Sequence, residues 1–337
     1  MGLIVSFACA LTPIFNLLTS QVSLGSAIQG FVDALLVSTV LTAYVFFVRD
    51  GLLRAWFRRR SFVVNLLANG TVLFTLFLLA RALGQLVTSG NPTRFYTSFS
   101  DAHLRYAIPF VATIAFGLQF LLQMNRMIGT NGLRYFLTGV YSRPKAEERI
   151  FMFLDLASST QLAERLGGAR YYELLRRFVD DLGDPILESR GAIYQYAGDE
   201  VIVTWDKTSG LQRANCVRCY FGIKDAVARN ATGYQRDFGT IPTFRAGLHG
   251  GEVIAGELGD IRQEIIFTGD TLNTAARLEE YARQHRRGFI ISGELLAQIE
   301  LPDGVRAERL EEFRARGKEQ TTIVYALTRD GEAESVA

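Results

Sequence analysis

Residues 1–124 contain neither Lys nor Glu, whereas both recur throughout the chain from Asn125 onward. One kind of packing cannot serve both parts. The first part holds four apolar stretches, at about 3–18, 28–48, 62–87 and 106–124. The last three reach the roughly 17–25 residues that span a bilayer. The first is shorter and is interrupted by Pro13 and Asn16. The expectation is an α-helical membrane domain of four helices over 1–124.

The charges of this part set the expected orientation. Eight Arg stand against three Asp, a local charge of +5, and the whole chain carries +2, which leaves −3 for residues 125–337. Arg49, Arg54, Arg58, Arg59 and Arg60 cluster in the second connection. The positive-inside rule puts that connection, both termini and everything after residue 124 in the cytoplasm, with the protein multi-pass in the inner or plasma membrane and a lipid bilayer as partner. Asp33 and Arg81 fall at similar depth in the second and third stretches, and an ion pair between them is expected. A ligand or partner of this domain is implied but not named by the sequence. A mildly charged chain whose arginines are pinned between apolar stretches excludes nucleic acid as the main partner.

Residues 125–148 read as a linker with a short amphipathic helix. Leu133, Phe136, Leu137, Val140 and Tyr141 recur at helical spacing between Gly132 and Pro144. From 149 to 328 strand and helix patterns alternate, giving an α+β domain with an antiparallel-rich sheet. A strand pair is expected across 243–258, and a helix over 271–284. Residues 329–337 read as a disordered tail. Cys216 and Cys219 form a C-x-x-C with no second Cys pair or His cluster, so they read as core residues rather than a zinc site.

Two carboxylates stand out in the second part. IYQYAGDEVIVTW, residues 193–205, flanks a tight Gly198-Asp199 turn with strand formers, which presents Asp199 at a hairpin tip. RIFMFLDLASST, residues 149–160, is an apolar strand that ends in Asp155 and runs into small hydroxyl residues opening a helix. A strand end of that kind offers an aspartate to a cation and backbone N–H groups to an anion. Together they describe a two-metal nucleotide site.

Residues 150–328 resemble the class III nucleotidyl cyclase catalytic domain along their whole length, a ferredoxin-like α+β fold. Asp155 in FLDLASST and Asp199 in YAGDE match that family's metal aspartates, and LHGGEV at 248–253 matches its central strands. TGDTLNTAARLE at 268–279 matches its catalytic helix, with Asn273 and Arg277 at the transition-state positions. Arg316-Gly317-Lys318 stands at its triphosphate-binding turn.

The resemblance implies ATP as substrate, cyclic AMP and pyrophosphate as products, and two Mg²⁺ or Mn²⁺ ions per site. Asp155, Asp199 and the backbone of Leu156 would hold the ions. Ser158, Ser159, Thr160, Arg316 and Lys318 would bind phosphate, and Gln195, Ile266 and Thr268 would face the base. It also implies a homodimer whose sites take the aspartates from one chain and the Asn/Arg pair from the other. The base readers depart from the adenylyl pattern, which has Lys and Asp or Thr where this chain has Gln195 and Ile266. A guanylyl or base-promiscuous cyclase, and a catalytically silent nucleotide sensor, therefore stand as alternatives. The Gly-Asp-Glu tip also resembles diguanylate cyclases, but these have no counterpart to TGDTLNTAARLE.

Overall fold

The computed structural model describes residues 61–89, 138–260, 263–314 and 321–331, with single positions between 39 and 135. The chain divides into two compact units, Met1–Ile128 and Gly129–Ala337. In the first unit, helix α1, Phe62–Ser89, coincides with the third apolar stretch. Polar side chains are set along it, and buried Asn69 donates to the Asn65 carbonyl and accepts from the Tyr44 hydroxyl. Among the described residues no helix is long and apolar enough to cross a membrane. That finding overturns the expected multi-pass membrane location. Apart from single positions, the other three stretches, Asp33, and most of the amphipathic linker helix (Leu133, Phe136 and Leu137 among it) lie outside the described residues.

The second unit is built on one long strand pair. Strand β1, Lys145–Leu156, begins before the strand expected from 150, and pairs antiparallel with β4, Phe244–Leu258, over its whole length. The strand pair expected across 243–258 is one unbroken strand that contains Gly250 and Gly251. Both continue the strand, and the glycines serve packing: a Cβ at Gly250 would come within 3.0 Å of Ile150, and one at Gly251 within 2.8 Å of the Thr271 hydroxyl. The remaining strands are β2 (Ala192–Ala197), β3 (Glu200–Asp206), β5 (Glu264–Thr268), β6 (Phe289–Ser292), β7 (Val305–Arg314) and β8 (Thr321–Arg329). They order as β2-β3-β1-β4-β6-β8-β7, with β5 pairing the far end of β4. Only β4–β6 is parallel; the other pairings are antiparallel.

Alternation along β1 decides the two layers. Ile150, Met152, Leu154 and Leu156 enter the larger core with Leu174, Phe178 and Leu182 of helix α3 (Gly168–Glu188) and Val217, Tyr220 and Ile223 of α5 (Asn215–Arg229). Short helices α2 (Ser159–Leu166), α4 (Lys207–Leu211) and α6 (Ala231–Phe238) complete that side. Cys216 and Cys219 are buried in it, and burial pushes both thiols up to about 12, as core residues require. Phe151 and Phe153 face the other way, into a second core with Ile202, Val253, Phe267 and Ala275 of helix α7 (Asp270–Gln284). Phe267 is its hub. The rings of Tyr194, Phe151 and Tyr141 pack edgewise on it at 5.1, 5.6 and 6.4 Å, and the Arg149 guanidinium lies 4.6 Å from its centre. Arg149 is held by Glu147 at 2.7 Å and by the Tyr141 hydroxyl at 3.1 Å.

Helix α7 lies along β4. Gly251 sits under Thr271, and Gly247 sits under Ala275 and Glu279, where a Cβ would overlap the Glu279 amide nitrogen. The helix therefore runs from the Gly251 end of β4 toward the Arg245 end. Asp270 is its first residue rather than its cap, and accepts a hydrogen bond from Thr274. His249 is buried with its Nδ1 2.7 Å from the Ser292 hydroxyl, a satisfied core residue. A last short helix, α8 (Gly293–Leu296), follows β6.

Candidate active site

Asp155 is the penultimate residue of β1, and β3 pairs with that end of β1 through Leu154 opposite Val201. The turn from β2 to β3 uses Gly198 at φ +68°, a conformation that a residue with a Cβ rarely adopts. The pairing brings the hairpin tip to the strand end, so the Asp155 and Asp199 carboxyls adjoin. Burial pushes the Asp155 carboxyl above its usual range, and Asp199 pushes it further; Arg245 and Arg283 oppose the shift. A carboxylate whose proton affinity is raised beside a second carboxylate is what a divalent cation relieves. The donors are hard oxygens, suited to Mg²⁺ or Mn²⁺. Among the described residues no three His, Cys, Asp or Glu side chains form a ready-made metal cage. That agrees with Mg²⁺ chemistry, in which one or two carboxylates share the ion with phosphate and water.

The segment after Asp155 suits an anion. The Leu156 side chain is buried in the larger core, which leaves only its backbone to serve the site. Ser158, at φ 57°, precedes α2 without a side-chain cap, so the first N–H groups of that helix meet no capping oxygen. Ser159 is half-buried and Thr160 exposed. Tyr171 of α3 belongs here too. Burial first, then Asp199, push its phenol up, and Ser159 opposes the shift.

Asn273 and Arg277 stand one turn apart on α7, exposed and half-buried respectively. They are not brought to the aspartates within the chain. The α7 side chains whose charges reach Asp155 are Arg283 and Glu279, toward the other end of the helix. From Asn273 to Arg283 is ten residues, about 15 Å of helix at 1.5 Å per residue. Arg316 and Lys318 lie outside the described residues.

At the positions expected to face the base, Ile266 is half-buried and Thr268 is exposed with its hydroxyl 3.5 Å from the Ile254 carbonyl. Gln195 is exposed on β2, and its setting differs from simple alternation. Ile193 pairs with Val203 and Gln195 with Ile202, so Tyr194 is the extra residue of a β-bulge. The bulge turns Gln195 to the face of Ile202 rather than that of Ile193.

Two charged groups beside Asp155 escape a reading of motifs. Arg245, directly opposite Asp155 on β4, is 8% exposed, and Glu279 is 4% exposed. Arg245 Nε and Glu279 Oε1 have no hydrogen-bond partner among the described residues. Burial, then the charge of Asp155, push the Glu279 carboxyl up to about 7. Glu200, after the hairpin tip, is raised by burial and by Asp155 and Asp199. The signal for Glu279 lies in its spacing: it shares the buried stripe of Thr271, Ala275, Leu278 and Ala282.

Comparison with known proteins shows the family. The profile of the adenylate and guanylate cyclase catalytic domain matches residues 141–329. Adenylate cyclase 2 of Rhizobium meliloti is 40% identical over 209 residues, which are 62% of this chain and 58% of that protein. Adenylate cyclase 1 of the same organism is 27% identical over 54% of this chain and 27% of its own length. The chain thus spans well under two thirds of either relative. A solved bacterial light-regulated adenylyl cyclase shares the fold with a TM-score of 0.53 at 20% identity, covering 66% of this chain and 65% of that one. The chain therefore belongs to the family of adenylate and guanylate cyclase catalytic domains.

Proposed function

We propose that this protein converts ATP to 3′,5′-cyclic AMP and pyrophosphate at sites shared between two copies of the chain. The observation that carries the reading is the meeting of Asp155 and Asp199 at one end of the sheet, with Asn273 and Arg277 set apart along α7. In the reaction the ribose 3′-oxygen bonds to the α-phosphorus, the bond from that phosphorus to the β-phosphate oxygen breaks, and the hydroxyl proton goes to solvent. Mg²⁺ or Mn²⁺, when bound, lowers the pKa of the hydroxyl and neutralises the leaving pyrophosphate. Asp155, Asp199 and the Leu156 carbonyl would hold the ions.

The uncapped start of α2, with Ser158, Ser159 and Thr160, would receive phosphate oxygens, as would Arg316 and Lys318. From the partner chain, Arg277 donates N–H groups to the charge growing on the transferring phosphoryl group, and Asn273 orients the ribose. A symmetric homodimer then has two identical sites. Gln195, Ile266 and Thr268 face the base. Ile266 offers no acceptor to the adenine amine, and the Gln195 amide pairs as readily with guanine, which favours a second reading in which GTP is also used.

The test is cyclic nucleotide formation by the purified full chain with Mg²⁺ or Mn²⁺. Asp155→Asn and Asp199→Asn each remove a charged ligand with little change of volume, and should lower kcat by about 10²-fold or more with an unchanged circular dichroism spectrum. Turnover near wild type in either variant contradicts the assignment. A wild type that binds nucleotide but makes no cyclic product would identify a silent sensor instead.

A further inference from the structure

Gln195 and the pair Ile266/Thr268 stand on strands that do not touch. In the hydrogen-bonded order β2 and β5 are separated by β3, β1 and β4. One side chain crosses that gap. Tyr194, the extra residue of the bulge, reaches over the α7 face of the sheet, and its hydroxyl accepts a hydrogen bond at 3.3 Å from the backbone N–H of Phe267. Its ring is fixed on the way, packed edgewise 6.1 Å from Phe151 and 5.1 Å from Phe267. Phe267 in turn is the residue between Ile266 and Thr268. The tie therefore joins the immediate neighbour of one base-facing position to the residue between the other two.

The bulge explains why this is possible. In a regular strand Tyr194 and Gln195 would point to opposite faces, but at a bulge both stand opposite Ile202, whose side chain lies in the second core. Bulges re-aim side chains at sites. Here the buried member is the strut and the exposed member is the reader. We infer that Tyr194 is a positioning residue for base selection, setting the separation of Gln195 from Ile266 and Thr268 through its bond to the Phe267 amide. This rests on the reading of those three residues as base-facing.

The experiment uses the full chain and two probes that cannot cyclise, 3′-deoxy-ATP and 3′-deoxy-GTP, with the ratio of their Kd values as the readout. Tyr194→Phe removes the hydroxyl and keeps the ring. It should change the ratio by about three- to tenfold, the worth of one hydrogen bond. In a Gln195→Ala background the same change should shift the ratio by less than about twofold, because the positioned group is gone. A merely structural role would weaken both probes alike and leave the ratio fixed. An unchanged ratio in Tyr194→Phe, or an equal shift with and without Gln195, overturns the inference. Should Tyr194→Phe not fold, 3-fluorotyrosine at 194, a poorer acceptor of the same shape, carries the same comparison. A wild type that binds neither probe overturns the nucleotide reading and the inference with it, whereas a binding wild type with invariant ratios overturns the inference alone.

Discussion

Glu279→Gln should stabilise the metal-free protein above neutral pH and leave it unchanged in acid. Glu279 is 4% exposed, and its Oε1 has no partner among the described residues. Its carboxyl is raised from 4.5 to about 7, chiefly by burial and next by Asp155. An unfolded chain releases that proton near 4.5 while the folded one keeps it to about 7. Within this window the folded state binds more protons, so stability falls as pH rises, and the loss is complete above the folded value. At about 1.4 kcal/mol per pKa unit the interval is worth about 3 kcal/mol. Glutamine has nearly the same shape and cannot ionise. The assay is denaturant unfolding in EDTA from pH 4.5 to 8, followed by fluorescence of buried Trp205 with Trp56 replaced by Phe. The advantage of the variant should grow from near zero at pH 4.5 to about 3 kcal/mol at pH 8. Parallel curves, or a wild type that is the more stable at pH 8, would refute the reasoning.

Base selection gives a second prediction. Because a pocket lacking an acceptor forfeits much of the roughly 10⁴–10⁵ discrimination that hydrogen bonding provides, wild type should prefer ATP over GTP by less than about 10³ in kcat/KM. Gln195→Lys with Ile266→Asp should sharpen that preference; a wild type already above this limit, and indifferent to Gln195→Ala and Thr268→Val, would mean that other groups read the base. Gly247→Ala tests the packing of α7, since the added methyl would overlap the Glu279 amide and meet the Ala275 carbonyl oxygen at 2.5 Å. It should cost about 3 kcal/mol of unfolding free energy, and a loss below about 1 kcal/mol would show that the helix can shift.

The residues legible in the sequence are those whose role is local. Asp155 ends an apolar strand and Asp199 sits in a glycine turn, so neighbouring residues alone placed each of them. Bringing them together needed only that β3, the second strand of the hairpin, pair with β1. The strand pair expected across 243–258 proved to be one strand, and the Ile150 and Thr271 side chains that require Gly250 and Gly251 are distant in sequence. The bulge at Tyr194 escaped because alternation cannot register an inserted residue, yet that residue decides which way Gln195 faces. Arg245 and Glu279 look like surface charges until β4 and α7 are laid over one another beside Asp155. The expected membrane placement rested on hydropathy along the sequence alone, and among the described residues no helix is long and apolar enough to cross a membrane.

Mixing two inactive variants tests the shared site most directly. Asp199→Asn lacks a metal carboxylate and Arg277→Ala lacks the phosphoryl donor, so each alone should form almost no cyclic AMP. In a heterodimer the two lesions fall in the same site, and the other site is intact. With random subunit exchange half the dimers are mixed and each has one good site of two, so about a quarter of wild-type activity should return. No recovery, with exchange demonstrated by differently tagged copies, would mean that Asp199 and Arg277 act within one chain and would contradict the account.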